Sequence, residues 1–256
     1  MHCVARRIVD RMILSLIKMW LKAPVEERDR DGTRRITGGR NSKHGTPQGG
    51  VISPLLANLY INRFLKFWRM QEKTQAYRAH IVSYADDFVI LSRGHAAEAL
   101  AWTRDVMTRL GLTINEAKTS LKNARKERFD FLGYTFGPHW KRPGGKRYLG
   151  YSPSKKSMGR IKDKIGDLLV PGNLGAWTDV RDRLNRLLRG WMGYFSHGTL
   201  SAAYRDVEGH VYDRVHNFHR RRHKVPTRGT REFSGTRVFG ELGVLRLKRL
   251  KPATQP

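Results

Sequence analysis

The stretch from Ala79 to Ser92 constrains this chain more than any other. Ile81-Val82 and Phe88-Val89-Ile90-Leu91 are short β-forming runs, and Asp86-Asp87 stands between them. That pattern predicts two short strands around a tight turn. Two carboxylates at such a tip repel each other. At ~4 Å the cost is on the order of 1 kcal/mol in water and about 4 kcal/mol at an effective dielectric of 20. A hard dication reverses the sign. Mg²⁺ prefers oxygen ligands and takes one or two carboxylates together with substrate phosphates. Taken alone, the dipeptide also fits an ordinary turn, because Asp is a common turn residue.

Charge narrows the partner. Lys and Arg number 50 against 22 Asp and Glu, a net charge of +28 with a pI near 10.9. Such a surplus does not suit an ordinary metabolic enzyme. It implies a polyanion, nucleic acid in preference to an anionic membrane. Residues 1–120 hold 20 basic and 11 acidic side chains, whereas the remainder holds 30 and 11, so the C-terminal half is the stronger phosphate-gripping candidate. The 256 residues, 39% of them hydrophobic, can fill one large core or two smaller ones. Cys3 alone excludes an internal disulfide framework and a Cys-based zinc finger. No apolar run approaches the ~18 residues that span a bilayer. Arg6-Arg7 and Met12–Leu21 faintly mimic a signal peptide, but Asp10, Arg11 and Lys18 interrupt it and no small-residue cleavage site follows. A cytoplasmic protein without a membrane partner is expected.

Periodicity organises the rest. Ile8, Val9, Met12, Ile13, Leu16, Trp20 and Leu21 predict an amphipathic helix containing Asp10 and ended by Pro24. Residues 26–46 are charged and Gly-bearing, a hairpin or loop. Ser53-Pro54 reads as an N-cap and first helical residue, ahead of Leu55, Leu56, Leu59, Phe64 and Phe67. A helix over about 95–110 ends at Gly111. Short strands are expected at 112–114, 119–122, 129–136 and 147–151. Ser152-Pro153 resembles a second helix start, and further helices are expected at 178–195 and 201–223. The fold class is α+β. Residues 1–151 are mixed, 152–225 are helical, and 226–256 form a basic, poorly patterned tail.

Five ordered blocks carry a family resemblance. Tyr84-Ala85-Asp86-Asp87 resembles the YADD hairpin of reverse transcriptases. Upstream, Gly45-Thr46-Pro47-Gln48-Gly49-Gly50-Val51-Ile52-Ser53-Pro54-Leu55-Leu56 resembles their Gln-Gly loop and helix, in the form typical of group II intron-encoded proteins. Leu110–Asn115 with Lys118-Thr119 is similar to the next palm motif, and Phe129–Tyr134 to the primer grip. Leu187–Phe195 resembles the maturase segment. The resemblance spans about residues 45–195. It implies a partial polymerase palm, an antiparallel sheet with packed helices, followed by a helical thumb/maturase region. It also implies an RNA-directed DNA polymerase that uses Mg²⁺ in a two-metal site to extend a DNA primer on an RNA template.

Within that frame Asp86 and Asp87 are the catalytic and metal-binding candidates. Gln48, Gly49, Gly50, Tyr84, Ala85 and Lys118 are expected near nucleotide and template. Gln48 offers an amide that donates and accepts, and the glycines admit close backbone approach. A plain Gly-Gly turn, strand packing and an exposed lysine are the corresponding ordinary readings. Leu132 and Gly133 are expected at the primer grip, with a β-bulge glycine as the alternative. Val180, Leu184, Leu187, Leu188 and Trp191 form a core stripe. Arg186 and Arg189, on other faces, and Arg220-Arg221-Arg222 have no matching acids and are expected to contact RNA. His219 and His223, at i and i+4, lack further metal ligands.

One element of the family pattern is missing. Palm polymerases need a further carboxylate from a strand ahead of the Gln-Gly loop. Asp10, Glu26, Glu27, Asp29 and Asp31 do not fit that role. The fingers are likewise not found, so the chain resembles an N-terminally truncated member, inactive alone. The alternative is a non-catalytic fragment that binds structured RNA. Exposed palm surface would then favour self-association or a complementing chain.

Overall fold

The computed structural model describes residues 2–28, 31, 34–38, 50, 52–140, 145–226 and 231–247. The chain packs as two units that part between Leu121 and Lys122.

The first unit opens with α1 (His2–Ala5) and α2 (Arg11–Lys22). Asp10 lies outside α2 as its N-cap, not inside the helix as expected. Its Oδ1 accepts from the amides of Met12 at 2.7 Å and Ile13 at 3.2 Å. Ile17 is buried, while Met12, Leu16, Met19 and Trp20, spaced along one stripe, remain exposed. A hairpin of β1 (Pro24–Arg28) and β2 (Arg34–Gly38) follows.

α3 (Ser53–Met70) starts one residue earlier than the Ser-Pro reading implies. Ile52 occupies the cap position in helical conformation, and Pro54 sits in the first turn, where its missing N–H costs nothing. After the short α4 (Lys73–Ala76) come β3 (Ala79–Tyr84), β4 (Asp87–Ser92) and α5 (Ala96–Arg109). Phe64 and Trp68 of α3 meet Ala99, Val106 and Met107 of α5 beneath Ala79, with Ile81, Phe88 and Ile90 packed against them. Both indoles find acceptors there, Trp68 on Thr74 Oγ1 and Trp102 on Gln71 Oε1, each at 2.9 Å. The strands expected at 112–114 and 119–122 do not form. Leu112 and Ile114 pack singly on this core, and the Asn115 carbonyl accepts from the amides of Lys118 and Thr119, which curls the chain into a turn.

The second unit is a meander, β5 (Phe129–Phe131), β6 (Tyr134–Trp140) and β7 (Arg147–Pro153), with helices α6 (Lys155–Leu168), α7 (Trp177–Tyr194) and α8 (Ser201–Arg222). The run expected as one strand over 129–136 is broken at Leu132-Gly133, whose φ values of +49° and +76° form a two-residue hairpin turn. Ser154, not Ser152, caps α6, accepting from the Ser157 amide at 3.1 Å. The strand absorbs Ser152-Pro153 because Thr135 and Tyr134 pair with them.

Buried residues of α6, α7 and α8 make one core around Ile165, Leu184, Leu188, Val207, Val211 and Val215. The expected core stripe of α7 lies on it. The C-terminal segment, expected to be a poorly patterned tail, also joins it. Phe233, Val238, Val244 and Leu247 are buried there, flanking a π-helical turn at Arg237–Glu241. Buried Asn185 fastens this segment, donating to the Gly243 carbonyl and accepting from the Leu245 amide. Packing therefore divides the chain well ahead of the boundary expected at 151–152. The meander shares its hydrogen bonds and aromatic contacts with α6 and α7.

His219 is 3% exposed and packed between Trp177, ring centroids 4.3 Å apart, and Phe233, 5.4 Å apart. Neither ring nitrogen has a partner among the described residues. Burial, then the charges of His223, Arg222 and Arg237, push its pKa down to about 4. The unfolded chain takes up a proton at this site near pH 6.5 that the folded chain refuses until about pH 4. Its contribution is therefore complete above pH 6.5 and is lost as pH falls toward 4. About 3 kcal/mol of stability should vanish over that window. Urea midpoints measured at pH 7 and pH 4.5 check this, and His219→Leu should flatten the difference. Ala85, with φ +52°, holds the left-handed conformation that favours glycine. Ala85→Gly should raise stability by about 0.5 to 1 kcal/mol in the same assay.

Candidate functional site

The acidic pair sits where hairpin register forces it. β3 and β4 pair with Tyr84 opposite Asp87, so Ala85 and Asp86 are the two turn residues. Ala79, Ile81, Phe88 and Ile90 turn toward α3 and α5. Alternation then sends Tyr84, Asp87, Val82 and Leu91 to the opposite face, where all four are exposed. One carboxylate thus stands on the turn and the next on the first strand residue. Neither the Asp86 nor the Asp87 carboxylate has a hydrogen bond or ion pair among the described residues.

Two adjacent, unpaired, exposed carboxylates are a donor set that fits one hard dication in company with substrate phosphates. They do not amount to a two-ion site. Among the described residues, no group of three or more His, Cys, Asp or Glu side chains could hold a metal. His219 and His223 stack in parallel, ring centroids 5.7 Å apart, and gain no third ligand.

The expected nucleotide-side residues are described unevenly. Gln48 and Gly49 lie outside the described residues. The Gly50 carbonyl accepts from the Ser53 amide at 3.0 Å, which joins the loop directly to the start of α3. Lys118 is exposed on the turn built around Asn115. The nearby acid of that segment, Glu116, is taken by Arg104 in a two-pronged pair of 2.9 and 2.6 Å. Lys118 has no acidic partner among the described residues, so its charge is available to an anion.

In the second unit, Leu132 and Gly133 occupy the β5–β6 turn. A Cβ on Gly133 would meet Ser157 Oγ at 2.9 Å and Phe195 Cζ at 3.3 Å, so glycine is required there by the chain's own packing. Tyr134 lies beside it. Burial, then Tyr194, Tyr151 and Tyr204, pushes its phenol pKa up, which keeps the hydroxyl a donor. Ser154 and Ser157, which touch this turn, carried no signal in the sequence, and Tyr194 was legible only as part of the maturase-like segment, because their bonds run between segments distant along the chain.

The arginines separate by position. Arg186 and Arg189 are exposed on α7, away from Val180, Leu184, Leu188 and Trp191. Asp182, one turn earlier, is bonded by Arg181, which with Arg186 and Arg189 holds its carboxyl below the usual range. Successive helical residues differ by ~100°, so Arg220, Arg221 and Arg222 cannot act as one block. Arg220 is half-buried, and its Nε lacks a partner among the described residues. Arg222 donates to the Gly175 carbonyl at 2.8 Å and lies over the Phe218 ring. Arg221 is exposed. No helix of the described residues is long and apolar enough to cross a membrane.

Comparison with known proteins bears directly on this arrangement. Protein YkfC of Escherichia coli (strain K12) is 28% identical over 188 residues, which cover 61% of this chain and 47% of that protein. The chain thus spans about half the length of the curated relative it matches. The family model for the group II intron, maturase-specific domain matches residues 158–233, which include α7 and α8. The model for reverse transcriptase (RNA-dependent DNA polymerase) matches residues 2–136, more than half of the chain and with the acidic hairpin inside it. An acidic hairpin ahead of arginine-rich helices is therefore no chance pairing: the chain belongs to the reverse transcriptase family, in its group II intron maturase branch.

Proposed function

We propose that this chain acts on RNA as a reverse transcriptase/maturase, with the β3–β4 hairpin as part of a palm and α6–α8 as the thumb and maturase region. The observation that carries this reading is the Tyr84-Ala85-Asp86-Asp87 turn, with both carboxylates exposed and unpaired on a hairpin buried on one face only. Asp86 and Asp87 would hold Mg²⁺, which when bound supplies charge neutralisation for joining a primer 3′-hydroxyl to an incoming nucleotide. Tyr84 and Ala85 shape the floor beside that charge. Gln48, Gly49, Gly50 and Lys118 attend nucleotide and template, and Leu132-Gly133 the primer end. Arg186, Arg189 and the Arg220–Arg222 segment attend RNA phosphates.

A third carboxylate is not available among the described residues, so nucleotidyl transfer needs one from elsewhere. That favours a second reading for the chain by itself, the binding of structured RNA without synthesis. The exposed stripe of α2, Met12, Leu16, Met19 and Trp20, offers an apolar face for a complementing chain or a second copy.

Three measurements test these statements. In a Mg²⁺-dependent primer-extension assay, the purified chain should give no product above its Asp86→Asn variant. Robust synthesis abolished by Asp86→Asn would instead establish the chain as a complete polymerase and reject the RNA-binding-only reading. Affinity for a structured RNA should fall by about 10³-fold or more between 50 and 200 mM salt, as ~6 to 10 phosphate contacts require. Arg186→Ala with Arg189→Ala should lower the logarithmic salt slope by about 2. Light scattering should show concentration-dependent association that Leu16→Glu removes, if the α2 stripe recruits a second copy.

A further inference from the structure

The turn between β5 and β6 is held from outside its own hairpin. Tyr194, in the last turn of α7, donates its hydroxyl to the Leu132 carbonyl at 2.9 Å, and its backbone carbonyl accepts the Tyr134 hydroxyl at 2.8 Å. Ser157, in the first turn of α6, donates Oγ to the Gly133 carbonyl at 2.9 Å, and the Ser154 amide reaches the same oxygen at 2.8 Å. Both carbonyls of a two-residue turn are therefore fixed by helices. Leu132 needs such restraint, because φ +49° is a conformation an L-residue leaves readily.

Tyr194 is 56% exposed, so it is not a core residue. It stacks on Tyr134 with centroids 6.1 Å apart and meets Phe195 edge-on at 4.7 Å. Its hydroxyl reaches past those contacts to one target, the carbonyl of the residue in the left-handed conformation. The same helix carries Arg186 and Arg189 two turns and one turn earlier on its open face.

We infer that Tyr194 is a positioning residue: through the Leu132 carbonyl it sets the turn that meets the primer end, so the arginine-bearing helix α7 is part of the primer support. This rests on the primer-grip reading of Leu132-Gly133 given above. Removing the hydroxyl loosens the turn and displaces the primer 3′ end, while the arginines still hold the nucleic acid.

The test uses the full chain, wild type and Tyr194→Phe, bound to a DNA primer on an RNA template with a photoreactive thiothymidine at the primer 3′ end. Phe keeps both ring contacts and deletes only the donor. Amide exchange over 129–136 should be about five-fold faster in the variant, the effect of one lost hydrogen bond. Crosslinking of the 3′ end to that peptide should fall by a similar factor, with duplex affinity changed less than two-fold. Ser157→Ala, acting on the neighbouring carbonyl, should move exchange and crosslinking in the same direction and covers the case in which Tyr194→Phe fails to fold. Unchanged exchange, or unchanged crosslinking despite faster exchange, overturns the role of Tyr194. A wild-type chain that never crosslinks at this peptide overturns the grip reading itself, an outcome distinguishable because the exchange effect of Tyr194→Phe would persist.

Discussion

Burial of one face of the β3–β4 hairpin and not the other is the constraint on which the site depends. Phe88 and Ile90 pack toward Phe64, with the Phe64 and Phe88 rings 5.3 Å apart. Side chains alternate strictly along a strand, so a slip of one residue would carry these apolar groups into water and drive Asp87 toward the aromatic core. Burying an uncompensated carboxylate costs several kcal/mol even after relaxation. Register is thus fixed by the aromatic contact of Phe88 together with the exclusion of Asp87 from the core, since Val82 and Leu91 on the other face are apolar too. The exposure of Tyr84 and Asp87 follows as its other half, and the site needs no dedicated interaction to present its charges.

That logic explains what was legible in the sequence. The acidic hairpin, α5, α7 and α8 could be read because each carries its own period. The short β-forming runs on either side of Asp86-Asp87 give the strands, and the recurrence of Val180, Leu184, Leu188 and Trp191 gives the buried face of α7. What failed depended on partners far away. Leu112 and Ile114 look like strand residues, yet among the described residues no neighbouring strand pairs with them and they dock singly on the α3–α5 core. Phe233, Val238, Val244 and Leu247 are too widely spaced to signal an element, and their burial comes from a groove whose polar anchors, Asn185 and Glu208, lie on α7 and α8. Asp10 inside an apolar period reads as an interrupted helix, whereas an Asp ahead of a helix is worth more as a cap. At the candidate site the hairpin acids were legible by local pattern. The separation of Arg220, Arg221 and Arg222 into three environments was not, since it depends on what packs beside α8.

Charge is distributed with a similar economy. In the second unit Lys162 pairs with Asp206, Arg181 with Asp182, Arg237 with Glu241 and Arg246 approaches Glu208. Exposed pairs of this kind are each worth ~0 to 1 kcal/mol, so they do little for stability. They engage only part of the unit's acids: Asp163, Asp167, Asp179 and Asp213 have no ion pair among the described residues, and cations still outnumber acids. The cations that remain, Arg186, Arg189 and Arg221 among them, face solvent with a summed field that attracts a polyanion over about a Debye length. The surplus is therefore a property of the surface and not of the fold. The core of α6, α7 and α8 would pack the same way with fewer arginines.

Among the described residues, two hairpin turns use backbone that side chains disfavour, and they are treated oppositely. At the acidic turn Ala85 takes φ +52°, where glycine would be easier, and no hydrogen bond from another element holds it among the described residues. At the β5–β6 turn Leu132 takes φ +49°, and both turn carbonyls are bonded to α6 or α7. Strain of about 1 to 3 kcal/mol persists only where surroundings over-determine it. For Leu132 those surroundings are present in the chain. For Ala85 the two-stranded ladder alone supplies them among the described residues, so the acidic turn is the less restrained of the two. The β5–β6 turn is therefore the rigid one of the two and the acidic turn the compliant one. The difference follows from which carbonyls find donors, a matter of packing and not of the turn residues themselves.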